Sequence, residues 1–177
     1  MSHRFEPLAD DRRSIRLRGF DYALDGAYFV TVCVAGRKRI LGRIRNGTAI
    51  LSEAGHLVVT AWERLPLHYP RVRLDAFVVM PNHVHGIVVL DGVVGTGRAP
   101  IPTSGGVPDP RRHALPEIVR AFKAFSARAI NLRRGTPGTP VWQRNYYERI
   151  LRDERALAAV RRYIRENPAK WGDDRFH

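Results

Sequence analysis

Cysteine is almost absent: Cys33 is the single thiol in 177 residues. It cannot form an intramolecular disulfide, and inside the apolar run 28–34 it reads as a small core residue in a chain compatible with a reducing cytoplasm. Long hydrophobic runs are missing too. No stretch approaches the ~18 apolar residues needed to cross a bilayer. The segment 1–18 is charged and has no apolar core of the kind a secretory signal carries, so secretion and membrane insertion are disfavoured. No internal repeat is visible. Acidic residues are scarce relative to basic ones, with 17 Asp and Glu against 30 Lys and Arg.

The resulting charge of +13 is large for a chain of this size and spreads along it instead of collecting in a tail. Such a field attracts polyanions, of which nucleic acid is the commonest. Arg far outnumbers Lys, and Arg grips phosphate through two parallel donors. A generic basic surface that only aids solubility is the alternative, and the excess of Arg over Lys puts nucleic acid ahead of it. The length suits one domain able to bury a core without disulfides or a structural metal.

Residues 1–20 form a basic arm with Arg12, Arg13, Arg16 and Arg18. A strand is predicted at 27–34, and a hairpin joins 40–45 to 48–51 through Asn46-Gly47, a strong turn signal. Ser52 reads as the N-cap of a helix through Leu65, with Leu57, Val58, Ala61 and Leu65 as its apolar stripe. Strands at 72–79 and 84–90 flank the turn Pro81-Asn82. The segment 91–114 turns to Gly, Pro, Ser and Thr and reads as a flexible loop within the single domain 1–177.

A helix follows over 115–134. Ile118, Phe122, Phe125, Ala129 and Leu132 are expected inward, Arg120, Lys123, Arg128, Arg133 and Arg134 outward, and Gly135 caps it. The stretch 142–151 is partly strand. A last helix runs from an Asp153 N-cap through Arg165 to Asn167-Pro168, burying Ala156, Leu157, Val160 and Ile164. The order β, β, α, β, β, α, β, α defines an α+β protein with helices packed on an antiparallel sheet.

The most informative stretch is Met80-Pro81-Asn82-His83-Val84-His85, at the head of the apolar run 87–90. On a strand, His83 and His85 share one face and Val84 points to the other, a metal-ligand geometry. On a helix the two imidazoles would diverge by about 200°. In the last helix, Tyr163 and Asn167 lie one turn apart on nearly the same side. Each feature alone is ordinary: paired histidines arise by chance, a helical Tyr at a stripe margin is usually a core-edge residue, and Asn before Pro is a common helix terminator.

Together, two imidazoles and an amide oxygen suit a divalent ion such as Mn²⁺ or Mg²⁺, with open positions for a substrate oxygen and water. Tyrosine suits reversible strand breakage, because phenolate leaves more readily than an alkoxide. Its ordinary pKa near ~10 leaves only about 0.1% ionised at pH 7 unless the site helps. Trp142, Arg144, Tyr146, Tyr147 and Arg149 suit stacking of unpaired bases and phosphate contacts, although packing aromatics would look the same. Arg120, Lys123 and Arg128 read either as further phosphate contacts or as a solvated helix face.

Three separated motifs in order, 75–85, 142–148 (Trp-Gln-Arg-Asn-Tyr-Tyr-Glu) and Tyr163-Ile164 to Asn167-Pro168, resemble the REP-associated tyrosine transposases. These belong with the single-strand insertion-sequence transposases in the HUH endonuclease superfamily. The resemblance runs from about Arg13 to Trp171. It implies a ferredoxin-like sheet with the paired histidines on a central strand, and a bacterial, nucleoid-associated protein. His83 and His85 would be metal ligands, Asn167 the third ligand, and Tyr163 the nucleophile on single-stranded DNA. Relatives among the insertion sequences often have Gln where Asn167 stands. REP-associated members often carry a longer C-terminal tail, so hairpin recognition is expected to rest more on the N-terminal arm.

The function implied is a metal-dependent, single-stranded DNA endonuclease and strand transferase acting near hairpins of repeated extragenic palindromes. A DNA-binding protein or repressor without chemistry on the same fold is the alternative, and a small-substrate metallohydrolase is a third reading. Both a monomer and a homodimer are compatible with the resemblance.

Overall fold

The computed structural model describes residues 21–91 and 113–173. Arg12, Arg13, Arg16 and Arg18, and most of the Gly- and Pro-rich segment, lie outside the described residues. Four strands form the main sheet: β1 (Gly26–Cys33), β4 (Val72–Met80), β5 (His83–Leu90) and β6 (Tyr147–Leu151). A separate hairpin pairs β2 (Gly42–Arg45) with β3 (Thr48–Leu51). Asn46 and Gly47 both take positive φ (51° and 71°), as a two-residue hairpin turn demands.

The sheet order is β4-β5-β1-β6, and every neighbouring pair is antiparallel. This is the ferredoxin-like arrangement that the β and α order allows. Helix α1 (Glu53–Glu63) starts at Ser52, whose Oγ accepts from Gly55 N at 3.1 Å. Arg64 interrupts the expected continuation, and Leu65 belongs to the short α2 (Leu65–His68). Helix α3 (Leu115–Arg134) ends at Gly135 in the left-handed conformation (φ 64°). Helix α4 (Glu154–Glu166) is capped by Asp153, which accepts from Ala156 N at 2.7 Å.

The period-two pleat sorts the sheet into two faces. Tyr28, Val30, Val32, Val84 and Val88 join Val58, Trp62, Ile118 and Phe122 of α1 and α3 in the larger core. Phe29, Ile87 and Leu151 face the other way and meet Val160 and Ile164 of α4. Among the described residues, α4 is the main element packed on that face of the sheet.

The apolar stripe expected on α3 is corrected. On α3 the buried stripe is Leu115, Ile118, Val119, Phe122, Ser126 and Ile130, while Phe125 is 44% and Leu132 83% exposed and Ala129 is half-buried. The two stripes share Ile118 and Phe122 but diverge afterwards. Ser126 is tolerated inside because its hydroxyl donates to the Phe122 carbonyl (2.7 Å) and accepts from Trp142 Nε1 (2.9 Å). At the other end of the chain, α4 ends at Glu166 with Asn167 as its C-cap, as Asn167-Pro168 led one to expect. The backbone tightens into a 3₁₀ segment, Asn167–Asp173. Pro168 sits in its first turn, where the missing N–H costs nothing.

Helix α4 is clamped to the sheet from outside. One extra residue in β4 between Leu74 and Phe77 breaks the register with β5. At this bulge Asp75 accepts from Arg161 through both carboxylate oxygens (2.9 and 2.6 Å), two residues before Tyr163. The Arg161 hydrogen bond holds the Asp75 carboxyl below its usual value of 3.8. A group held low stabilises the fold above its unfolded pKa, and that contribution disappears as pH falls through the folded value. Asp75→Asn is therefore expected to cost no more than about 1 kcal/mol at pH 7, given the partial exposure of the pair. It should also flatten the loss of Tm below about pH 4, measured by thermal denaturation from pH 7 to 2.

Candidate active site

His83 and His85 lie on β5, opposite Cys33 and Thr31 of β1 on one side and Met80 and Val78 of β4 on the other. They sit in the middle of the sheet and are fully buried, with their Nε2 atoms 3.0 Å apart. Val84 points into the opposite core. The strand geometry read from the His-Val-His spacing is thus present.

Both outer ring nitrogens are engaged. His83 Nδ1 lies 2.8 Å from Asn82 Oδ1, and His85 Nδ1 lies 2.7 Å from Thr31 Oγ1. Asn82 and Thr31 are each 2% exposed. The turn carrying Asn82 is fixed by its backbone, with Val34 N donating to the Asn82 carbonyl and Leu41 N to that of Pro81.

Helix α4 brings Tyr163 over this pair. Its hydroxyl lies 3.3 Å from His85 Nε2, and its ring meets Phe29 edge-on at 6.0 Å. Phe29 also stacks on His85 at 5.4 Å. Asn167, one turn after Tyr163, is 3% exposed, and its buried Oδ1 has no hydrogen-bond partner among the described residues. One turn further, Trp171 stacks on His83 at 6.1 Å and carries Arg39 over its ring. Asn167 is therefore bracketed by residues that touch each histidine.

These donors fit a divalent ion. A buried amide oxygen without a partner is costly unless something polar meets it, and two facing imidazole nitrogens form the complementary half of such a site. Among the described residues no group of three His, Cys, Asp or Glu converges.

The other residues singled out by sequence separate. Trp142 is 7% exposed, packs on Phe122 and donates to Ser126, which makes it a core residue and not a base-stacking surface. Tyr146 packs against the α1 and α3 core, whereas Tyr147 meets Phe29 edge-on at 6.2 Å on the histidine side. Arg149 is exposed on the same face as Tyr147. Arg144 is exposed in the segment before β6.

Lys123 is half-buried, and its ammonium donates to the carbonyls of Gln143 and Arg144 (2.7 and 2.8 Å), fixing that same segment. Burial lowers its pKa. Arg120 and Arg128 are exposed on α3, in the helix layer behind the sheet and away from the histidines. Sequence reasoning missed Thr31, Asn82 and Trp171 as site neighbours, and also the exposed Arg155, Arg162 and Arg165 on α4, with Arg152 just ahead of it. Asn82, adjacent to the first histidine, was the one with a local signal.

A ferredoxin-like sheet that presents two facing histidines to a helix-borne tyrosine defines the fold as α+β. A solved structure of a REP-associated tyrosine transposase bound to a REP hairpin shares that fold. Its TM-score is 0.58 at 20% identity, covering 93% of this chain and 75% of that one. The chain is also 35% identical, over 185 positions, to an uncharacterized protein of Haemophilus influenzae, spanning 100% of this chain and 99% of that protein, and it belongs to the same family. No family model matches. Among the described residues no helix is long and apolar enough to cross a membrane.

Proposed function

We propose that this protein is a metal-dependent single-stranded DNA endonuclease and strand transferase that works through a 5′-phosphotyrosine. The observation carrying this reading is the Tyr163 hydroxyl 3.3 Å from His85 Nε2, beside a histidine pair 3.0 Å apart and an unpartnered Asn167 oxygen one turn away. His83, His85 and Asn167 would hold Mg²⁺ or Mn²⁺. When bound, the ion supplies polarisation of the scissile phosphate and neutralises charge that develops during transfer.

Tyr163 attacks phosphorus, the bond to the 3′-oxygen breaks, and the 5′-phosphate stays on the phenol oxygen. The proton lost by the phenol balances the one gained by the departing 3′-hydroxyl. Reversal by a different 3′-hydroxyl joins strands without an external energy source. Tyr163 and the histidines meet within one chain, which supports a site that a single subunit can assemble.

The net charge of +13 supports a nucleic-acid substrate. Arg12, Arg13, Arg16 and Arg18 of the arm would contact the backbone, as would Arg144 and Arg149, with Tyr147 beside the site. The REP hairpin in the structural relative favours single-stranded DNA next to a hairpin as the substrate.

Incubation with a hairpin oligonucleotide bearing a single-stranded flank, in Mn²⁺, is expected to give a covalent protein–DNA adduct that survives denaturing electrophoresis and disappears with a chelator. Salt-sensitive hairpin binding with no cleavage in Mn²⁺ or Mg²⁺ would instead identify a DNA-binding protein without chemistry.

A further inference from the structure

The loop that follows β1 is tied at both ends to the turn preceding the histidines. Val34 N donates to the Asn82 carbonyl (2.8 Å) and Leu41 N to the Pro81 carbonyl (3.0 Å), while Ala35 N donates to the Val141 carbonyl (2.8 Å). Between these anchors Gly36 and Arg37 both take positive φ (63° and 52°). Glycine adopts that region freely, but an arginine there is sterically strained. Such strain persists only where surrounding contacts fix it, and it clusters at functional sites. The segment so held is Arg37-Lys38-Arg39. Lys38 and Arg39 are exposed, and the Arg39 guanidinium carbon lies 5.6 Å from the centre of the Trp171 ring, which itself stacks on His83.

From residue 34 to residue 52 the chain carries five cations and no carboxylate. The other two, Arg43 and Arg45, hold exposed positions on β2. A Cβ at Gly47, in the turn of that hairpin, would lie 3.4 Å from Ala169, in the same 3₁₀ segment that carries Trp171. Positive charge is thus gathered on the elements that flank this segment, beside His83. We infer that the 34–41 loop is a phosphate clamp for the single-stranded flank of the DNA substrate, with Arg39 and Lys38 gripping phosphodiesters next to the one attacked. Arg39 suits this role because the indole face orients its planar fork, which can meet two phosphate oxygens at once. Lys38 adds a point charge on a flexible stem. The clamp rests on the single-stranded DNA reading proposed above.

Fluorescence anisotropy without divalent metal, so that no strand is cut, measures affinity for a hairpin with and without a single-stranded flank. Wild type is expected to bind the flanked hairpin more tightly. Arg39→Ala should weaken that binding about tenfold and reduce the slope of log K against log[salt] by about 0.7, while affinity for the bare hairpin stays within about twofold. Arg39→Lys should recover only part of the loss, and Lys38→Ala should show a smaller loss of the same kind. A neutral methylphosphonate scanned along the flank should weaken wild type at one or two positions and have no further effect there in Arg39→Ala. Arg134→Ala, which removes the same charge from the C-terminal end of α3, should affect both hairpins equally. A wild type indifferent to the flank, equal losses on both hairpins in Arg39→Ala, or methylphosphonate effects unchanged by that substitution would overturn the clamp alone. A wild type that binds neither oligonucleotide would overturn the DNA reading and the clamp together.

Discussion

Tyr163→Phe is expected to abolish the covalent adduct, by at least about three orders of magnitude as for removal of other catalytic nucleophiles, while hairpin binding and thermal stability stay near wild type. The substitution keeps the ring, and with it the contacts to Phe29 at 6.0 Å and His85 at 5.2 Å. It removes only the hydroxyl 3.3 Å from His85 Nε2. Tyr146 cannot substitute, because it packs into the core on the other face of the sheet. Tyr147 lies on the correct face, but among the described residues its ring meets Phe29, not the histidines. The check is denaturing electrophoresis of the labelled hairpin in Mn²⁺, with peptide mapping of any adduct. An undiminished adduct in Tyr163→Phe, or one mapped to Tyr147, would remove Tyr163 from the mechanism.

The second large effect concerns Gly86, which follows the histidine pair. A Cβ there would lie 2.5 and 2.6 Å from the Trp62 benzo edge and 3.0 Å from Phe77, inside a stack whose rings are 4.5 Å apart and 9° from parallel. Trp62 is also held edge-on by Phe122 at 5.3 Å, so the indole has little room to retreat. Gly86→Ala should therefore cost about 2–3 kcal/mol, at the upper end for overpacking, and lower Tm by roughly 5–10 °C for a chain of this size. Combining it with Trp62→Phe, which vacates the disputed space, should cost less than the sum of the single changes. Denaturant titrations of the three variants measure this. Wild-type stability in Gly86→Ala would mean that the sheet and α1 are not packed this closely.

Much of the site was legible because its geometry is local. The two-residue spacing of His83 and His85 fixes a shared face once the segment is a strand, and Phe77 to Val79 with Ile87 to Leu90 made it one. Ser52, Asn46-Gly47, Asp153 and Gly135 marked element ends through hydrogen bonds or dihedral angles satisfied within a few residues. The α3 stripe was less legible, because Ser126 can be buried only with Trp142 donating to it from a distant segment. Trp142 for the same reason looked like a surface for bases and is a core residue. The 3₁₀ continuation past Asn167, which carries Trp171 to His83, was hidden behind a proline that ordinarily ends a helix.

The sequence by itself determined the basic charge, the order of elements, the face shared by the histidines and the one-turn offset of Tyr163 and Asn167, since each depends on composition or on the period of one element. Only the tertiary structure decided that α4 lies on the histidine face, that Tyr163 meets His85, and that Thr31 stands opposite His85 in the sheet. Those relations join residues 78 and 54 positions apart, and no local periodicity encodes which face of a sheet a distant helix will cover.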